Sequence, residues 1–112
     1  MVPVVYRIFD VKGSLLYIGS TNDFEARRSV HLASHQSPVA FPIQVCAHRW
    51  ETTEYPDMAS ASAAERAAIR DEAPYLNRQH NPKRWRRVAG SWEPVADLYE
   101  MQRAPHPADV SA

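Results

Sequence analysis

Two short runs of β-branched, aliphatic and aromatic residues stand near the N-terminus, separated by a polar segment. Residues 4–9 read VVYRIF and residues 15–18 read LLYI, compositions that favour a pleated, half-buried surface. The segment between them ends in Gly13, and glycine adopts a positive φ at little cost. The pattern therefore predicts two strands joined as an antiparallel hairpin, which brings Tyr6 and Tyr17 close together.

A helix is predicted after the second strand. Residues 20–22 carry side chains that cap helices, and Glu25 follows Asn22 by three positions in the manner of a capping box. Apolar positions at helical spacing predict a buried stripe formed by Ala26, Val30 and Ala33. A neighbouring stripe carries a guanidinium and two imidazoles at intervals of four residues, at Arg27, His31 and His35.

The middle of the chain predicts a strand followed by a helix. Pro38 and Pro42 bracket a loop, and residues 43–51 then alternate as a third strand. The alanine-rich stretch 58–73 has a strong intrinsic helix preference. Pro74 ends this helix because the residue before a proline avoids helical geometry.

The C-terminal part of the chain is expected to form an extension, residues 91–112, that follows a domain of residues 1–90. Residues 90–91 (Gly-Ser) mark the boundary. The stretch from Glu93 to Arg103 predicts a short helix because its apolar side chains stand at helical spacing, at Val95, Leu98 and Met101. The last residues, APHPADVSA, are expected to fray.

Composition limits what this chain can be. A length of 112 residues with 45% hydrophobic residues suits one compact domain. The sequence has neither an apolar run near the ~18 residues that cross a bilayer nor a signal-peptide pattern. We therefore expect a soluble, intracellular protein of the cytoplasm that has no membrane partner. Cys46 is the only cysteine, which excludes an intramolecular disulfide.

Charge is distributed unevenly along the chain, although the formal net charge is zero. Five basic residues and no acidic ones lie between positions 78 and 87, namely Arg78, Lys83, Arg84, Arg86 and Arg87. Trp85 stands among them, and such a mixture suits phosphate contacts together with stacking on an unpaired base or a sugar. The alternative for this segment is a solvated surface loop with Trp85 packed on the core.

Five short motifs follow one another along the first two-thirds of the chain. The first two are Val4-Val5-Tyr6 and, after an interval of ten residues, Tyr17-Ile18-Gly19. The others are Phe24-Glu25-Ala26-Arg27 with His31 one turn later, Glu65 with Ile69 four positions on, and Pro74-Tyr75-Leu76-Asn77. Over residues 4–77 the set resembles the GIY-YIG nucleases, with valines at positions 4 and 5 where that family usually has glycine and isoleucine. The resemblance implies an α+β fold in which a three-stranded antiparallel sheet is flanked by helices, in agreement with the elements predicted above.

The resemblance also implies an activity, that of a metal-dependent endonuclease that hydrolyses phosphodiester bonds of DNA with an activated water. Glu65 would hold one Mg²⁺ or Mn²⁺, a hard cation that prefers oxygen ligands. Arg27 would pair with the scissile phosphate through its guanidinium fork. Asn77 would orient the glutamate or the waters of the metal.

The same resemblance implies a tyrosine as the base that deprotonates the water. Tyr6 is the expected base, and it requires that Arg27 and the metal favour its phenolate, because a free tyrosine has a pKa of about 10. Tyr17 is the competing candidate. His31 would hydrogen-bond the attacking water, the base or a phosphate.

Further contacts with DNA are expected from the neighbourhood of the first helix and from the basic segment. Gly19 would let the backbone pass close to the substrate. The other expected contacts are Ser20, Arg28, His35, Lys83, Arg84, Trp85, Arg86 and Arg87. Double-strand cutting needs two active sites or two sequential nicks, so the protein could act on DNA as a monomer or as a homodimer.

Three other interpretations stay open from the sequence. The two tyrosines could simply pack across the hairpin, with Arg27 and Glu65 on solvated helix faces. A module of the same fold could grip DNA with little or no cleavage. Finally, a zinc site could form from side chains that bind this metal tetrahedrally, at His31, His35, Cys46 and His48.

Overall fold

The computed structural model describes residues 2–33 and 40–95. In chain order the elements are β1 (Val4–Phe9), β2 (Leu15–Thr21), α1 (Phe24–Ala33), α2 (Ala40–Cys46), β3 (Arg49–Glu54), α3 (Met58–Glu72), β4 (Trp85–Val88) and β5 (Ser91–Pro94). The first three strands form an antiparallel sheet in the order β2-β1-β3, and the last two pair separately. The predicted α+β fold with a three-stranded antiparallel sheet and flanking helices is confirmed. No helix within these described ranges is long and apolar enough to cross a membrane.

The turn between β1 and β2 forms as the sequence predicts. Asp10 Oδ1 accepts hydrogen bonds from two backbone N–H groups of the turn, at 3.0 and 2.8 Å, and Gly13 has a φ of 86°. In the resulting register Tyr6 lies opposite Gly19. Because side chains alternate along a strand, Tyr17 projects from the same face of the sheet as Tyr6.

The hydrophobic core lies on both faces of this sheet. On one face α3 contributes Ala61 and Ile69, which pack near Val5 and Ile18. The buried cluster on the other face consists of Tyr6, Ile8, Leu16, Ile43 and Cys46. Alternation along β1 therefore supplies each face with its own core, and the second core is the one that holds Tyr6.

Helix α1 packs through a different face from the one that the sequence predicts. Asp23 caps the helix, since its Oδ1 accepts a hydrogen bond from the third N–H along at 3.2 Å, so the predicted cap at Asn22 is wrong. The predicted buried stripe is also wrong, because its three positions are exposed: Ala26, Val30 and Ala33. Phe24 and His31, two turns apart, face the core instead. A phenyl ring buries more apolar surface than the small side chains of the predicted stripe.

The third strand begins later than the sequence predicts. Residues 43–46 belong to α2, and the strand runs from Arg49 to Glu54. Pro42 lies in the first turn of α2, where a proline is tolerated. Ile43 and Cys46 are 0% and 5% exposed, and a spacing of three places both on one face of a helix. The short apolar pattern was thus compatible with a helical turn as well as with a strand.

Helix α3 agrees with the prediction, and the loop after it covers an edge of the sheet. Asp57 caps α3, and the helix ends at Ala73, whose φ of 49° is left-handed, just before Pro74. The loop then runs along the free edge of β2, where the N–H of Leu76 donates to the C=O of Leu16 at 2.8 Å. An edge strand covered in this way has fewer unpaired backbone groups.

Residues 85–94 form a hairpin where the sequence predicts a basic loop and the start of a helix. Ala89 and Gly90 have φ angles of 49° and 83°, the pair of positive values that a two-residue type I′ turn needs. Glu93 lies in β5, so no helix begins there. The rest of the predicted helix, residues 96–103, lies outside the described residues.

Candidate active site

Tyr6 lies at the centre of an aromatic cluster on the α1 face of the sheet. It is 2% exposed. Four rings surround it with centroids 5.7 to 6.4 Å from its own, those of Tyr17, Phe24, His31 and Trp50. These rings come from β2, α1 and β3, so the cluster forms only when the hairpin, the first helix and the third strand have assembled.

Gly19 provides the space that the ring of Tyr6 occupies. A Cβ on Gly19 would overlap Oη and Cζ of Tyr6 and would lie 2.8 Å from Cε1, closer than nonbonded carbon atoms approach. The resemblance to the family implies that this glycine lets the substrate come close to the backbone. In the structure the group that approaches it is the phenol, which places the hydroxyl of Tyr6 over β2.

The hydroxyl of Tyr6 and the imidazole of His31 form a buried hydrogen bond, with 2.8 Å between Oη and Nε2. Burial raises the pKa of Tyr6 well above its ordinary value, Tyr17 adds to the rise, and Arg27 opposes it. Burial, and then the charge of Arg27, lower the pKa of His31. Both partners are therefore neutral near pH 7. Arg27 favours the phenolate of Tyr6, as the sequence predicts, but desolvation outweighs it.

The charges of Arg27 and Glu65 affect the pKa values of the same two tyrosines, Tyr6 and Tyr17. Burial is the main reason that the pKa of Tyr17 is raised, while Glu65 adds to the rise and Arg27 opposes it. The same two charges have the same signs of effect on Tyr6. Charge effects weaken with distance, so the guanidinium, the carboxylate and both phenols share one neighbourhood. The ring of His31 joins it, with its centroid 5.3 Å from that of Tyr17.

Glu65 lines a pocket of about 200 Å³ together with Tyr17 and Asn77. Ser20 Oγ donates a hydrogen bond to Glu65 Oε1. Within residues 2–33 and 40–95, no Lys or Arg nitrogen lies within 4.0 Å of the Glu65 carboxylate, so its second oxygen is available to a cation. A single partly buried carboxylate beside an open pocket fits Mg²⁺ or Mn²⁺, which keep several waters and need few protein ligands.

Asn77 bonds the backbone of β2 with both atoms of its amide. Its Oδ1 accepts from the N–H of Ile18 at 2.9 Å, and its Nδ2 donates to the C=O of Ile18 at 2.8 Å. Asn77 is 6% exposed. It therefore pairs with the edge of β2 as a neighbouring strand would, and it holds Tyr17 and Gly19 on either side of Ile18. These bonds go to Ile18, whereas the resemblance implies that Asn77 orients Glu65 or the waters of the metal.

The DNA contacts expected at the end of β2 and along the first helix have different surroundings in the structure. Arg28 is exposed, lies 5.8 Å above the ring of Trp50 and is 3.9 Å from the carboxylate of Glu25. His35 lies outside the described residues. Ser20 is committed to the hydrogen bond with Glu65, so it is a contact of the predicted metal ligand.

Three basic residues of the segment 78–87 have hydrogen-bond or ion-pair partners inside the described part of the protein. Lys83 Nζ and Arg84 Nε donate to backbone carbonyls at the C-terminal end of α3, at 3.2 and 2.5 Å, where the helix dipole favours cations. Arg86 lies 3.8 Å from the carboxylate of Glu93. Trp85 is half-buried and Arg87 is exposed. The basic residues of this segment, which look alike in the sequence, therefore differ in the structure in whether a carbonyl or a carboxylate of the protein already binds them.

Sequence reasoning missed Trp50 and assigned no function to the ring of Phe24. Trp50 pairs with Ile8 across β1 and β3, which brings its ring next to Tyr6. A tryptophan within the otherwise polar strand RWETTE was the available signal. Phe24 was visible as the first residue of an expected motif, but its inward orientation depends on the rings of Tyr6 and Trp50 that it meets in the folded protein.

The zinc alternative gains no support from the geometry. In the part of the chain that the structure describes, no group of three or more His, Cys, Asp or Glu side chains could hold a metal ion. The imidazole of His31 instead bonds Tyr6. His35, the fourth side chain of that alternative, lies outside the described residues.

Comparison with known proteins supports the motif analysis. A comparison with curated proteins found no match. A family model described as the GIY-YIG catalytic domain matches residues 2–81. The match includes β1, β2, α1, α3 and the loop that carries Asn77, and it ends before the β4–β5 hairpin. The chain therefore belongs to the GIY-YIG family of nucleases.

Proposed function

We propose that this protein is a metal-dependent endonuclease that cleaves phosphodiester bonds of DNA beside Tyr17 and Glu65, on the side of the sheet edge that Arg27 and the Tyr6–His31 pair share. The observation that carries the proposal is the convergence of the Tyr6–His31 pair with the charges of Arg27 and Glu65. Membership of the family supports nuclease chemistry in general. A phosphodiester needs a base for water and counter-charge for the phosphate, and this group of side chains offers both.

Glu65 is the residue that would hold Mg²⁺ or Mn²⁺. When bound, such a cation supplies positive charge to a phosphate oxygen. Arg27 binds the scissile phosphate from α1 through a guanidinium that matches two phosphate oxygens. Ser20 fixes the rotamer of Glu65 through its hydrogen bond, and Asn77 acts as a positioning residue through the backbone of Ile18.

The neutral Tyr6–His31 pair acts as the base through a proton relay. Tyr6 donates its hydroxyl proton to Nε2 of His31 as Oη accepts a proton from water. The resulting hydroxide attacks phosphorus, the bond from phosphorus to the leaving oxygen breaks, and that oxygen takes a proton from solvent. His31 then returns its extra proton to Oη of Tyr6, and Tyr6 passes a proton to solvent, which restores the neutral pair. A relay of this kind needs no free phenolate, which the raised pKa of Tyr6 disfavours. A tyrosine hydroxyl thus serves as the base without being ionised beforehand.

The competing function is a DNA-binding module that keeps the fold and does not cut. The raised pKa of Tyr6 is the observation that favours it, because a tyrosine without an acceptor for its proton would be a poor base. The hydrogen bond to a neutral His31 favours the enzyme.

A plasmid-nicking assay in Mg²⁺ or Mn²⁺ separates the two functions. We expect the wild type to nick plasmid, EDTA to stop nicking, and Glu65→Gln to lose at least about a hundredfold in rate while retaining DNA binding. Glutamine can still accept the hydrogen bond of Ser20, so the fold should be preserved. Glu54→Gln, at an exposed carboxylate of β3, is the matched control. A wild type that binds DNA and leaves every linear, nicked and branched substrate intact with either metal would support the module.

A further inference from the structure

One face of the β4–β5 hairpin carries two arginine–tryptophan pairs. The guanidinium of Arg87 lies 5.3 Å from the ring of Trp92, its cross-strand partner. Trp85 lies two positions before Arg87 on the same face of the strand, and the guanidinium of Arg78 lies 4.9 Å from its ring. We call Arg78, Trp85, Arg87 and Trp92 the Arg–Trp face.

On the opposite face of the hairpin, the arginine is paired with a carboxylate. Arg86 and Glu93 are cross-strand partners there, and their charges lie 3.8 Å apart. By contrast, neither Arg78 nor Arg87 lies within 4.0 Å of a carboxylate in the described part of the chain. The positive charge of the hairpin that is available to a phosphate is therefore concentrated on the Arg–Trp face.

Arg78 connects this face to the candidate active site. It lines the same pocket of about 200 Å³ as Glu65 and Tyr17, and it directly follows Asn77 in the chain. If a nucleic acid strand placed one phosphate in that pocket, its adjacent nucleotides would lie near the guanidinium of Arg78. The nucleotides beyond them would lie near the tryptophan rings of the hairpin. Trp85, Arg87 and Trp92 lie beyond residues 2–81, which match the family, whereas Arg78 lies within them. The face therefore extends from the catalytic domain onto the hairpin that follows it.

We propose that the Arg–Trp face binds an unpaired DNA strand that leaves the duplex next to the cleaved phosphate. Flat guanidinium and indole groups stack on exposed bases, whereas the bases of a duplex are already stacked on one another. The arginines contact the phosphates of the same strand. The substrate class is then branched or flapped DNA rather than plain duplex. This inference rests on the proposed nuclease function, which it deepens.

Binding measured without cleavage tests the inference separately from the activity. Fluorescence anisotropy in Ca²⁺ or EDTA compares three labelled probes: a blunt duplex, the same duplex with a single-stranded arm, and that fork with an arm of abasic nucleotides. We expect the fork to bind about tenfold more tightly than the blunt duplex. The abasic fork should lose most of this gain, because its arm keeps the phosphates but has no bases to stack.

Two substitutions near the turn of the hairpin, at exposed Arg87 and half-buried Trp92, test the residues. Trp92→Ala and Arg87→Ala should each reduce the preference for the fork by at least about threefold, with a smaller effect on blunt duplex. Arg86→Ala, on the opposite face, should reduce it less than Arg87→Ala does. Arg70→Ala removes an exposed arginine that pairs with Asp71, and it serves as the charge control. Thermal melting of each variant separates loss of binding from loss of fold, and Trp92→Phe keeps the test possible if Trp92→Ala does not fold.

Equal affinity of the wild type for fork and blunt duplex would overturn the inference, and so would equal affinity for the abasic and the normal fork. Cleavage of plain duplex by such a protein would leave the proposed nuclease function intact. Conversely, a fork preference that depends on Trp92 in a protein that never cuts DNA would support the Arg–Trp face and refute the nuclease.

Discussion

The hydroxyl of Tyr6 lies 2.8 Å from Nε2 of His31, and this hydrogen bond joins β1 to α1 beneath the candidate active site. Both groups are neutral near pH 7, since burial raises the pKa of one and lowers that of the other. A neutral phenol next to a neutral imidazole can pass on a proton without first forming a buried charge. The Tyr6–His31 pair therefore provides a path for proton transfer in the candidate site, and it also holds α1 against β1.

Replacing Tyr6 with phenylalanine should separate catalysis from packing. The ring stays in the aromatic cluster, so Tyr6→Phe should lower the free energy of unfolding by only about 1 kcal/mol. Removal of the hydroxyl should reduce the single-turnover nicking rate by about a hundredfold or more. Tyr55→Phe, a half-buried tyrosine of the α3 face, controls for the loss of a phenol elsewhere. Full activity of Tyr6→Phe would transfer the role of base to Tyr17.

Adding one methyl group at Gly19 should displace the ring of Tyr6. We expect Gly19→Ala to destabilise the protein by about 1–3 kcal/mol, as overpacking of a core does, and to impair nicking because the hydroxyl moves. Urea unfolding measures the first effect. In a Tyr6→Leu background, the shorter side chain leaves room for the methyl group, so Gly19→Ala should have a smaller effect there. Equal destabilisation in both backgrounds would show that the glycine serves another purpose.

Truncation of Asn77 should loosen the edge of β2. Asn77→Ala leaves the N–H and C=O of Ile18 without their partners, which should lower the free energy of unfolding by about 2 kcal/mol. If Asn77 positions Tyr17 and Gly19, hydrogen exchange at the Ile18 amide should accelerate in the variant. Asn22→Ala, at an exposed asparagine, is the control. Unchanged stability and exchange combined with lost nicking would instead indicate direct contact of Asn77 with the substrate or metal.

Acid should weaken both the fold and the activity through His31. The pKa of His31 is lower in the folded protein than the ordinary value of about 6.5, so the unfolded chain binds more protons in the window between the two values. The free energy of unfolding should therefore fall as the pH decreases through that window. Protonated His31 cannot accept the proton of Tyr6, so the acid limb of the nicking rate should lie below about pH 6.5.

Urea midpoints at about pH 5 and about pH 7.5 measure the contribution of His31 to stability. His31→Gln should reduce the difference between the two midpoints, whereas His48→Gln, at an exposed histidine, should leave it unchanged. The hypothesis fails if the pH dependence of the His31 variant equals that of the wild type.

The elements that the sequence predicted well are those with a strong local signal. β1 and β2 are rich in β-branched and aromatic residues and are joined through Gly13, and α3 is rich in alanine between a capping Asp57 and Pro74. The elements it predicted poorly have weak local preferences. The apolar residues of segment 43–46 fit a strand or a helical turn equally well, and contact with the sheet decides in favour of the turn.

In the candidate site, local sequence preference also failed to predict which face of α1 packs against the sheet. Its apolar stripe lies outward and Phe24 and His31 lie inward, because the surface that it meets is made of the rings of Tyr6 and Trp50. Local periodicity cannot reveal this, since it does not include the partner surface. In the same way, the five basic residues of segment 78–87 look alike in the sequence, although three of them bond α3 or Glu93.

By itself, the sequence determined the order of the motifs, the two-strand hairpin and the family, because these depend on residue types at short, fixed spacings. Only the tertiary structure decided that Gly19 accommodates the ring of Tyr6, that Asn77 pairs with the backbone of Ile18, and that Tyr6 is buried against His31. Each of these depends on atoms brought together from distant parts of the chain. Distances between such atoms, and the desolvation that shifts a pKa, exist only after the chain has folded.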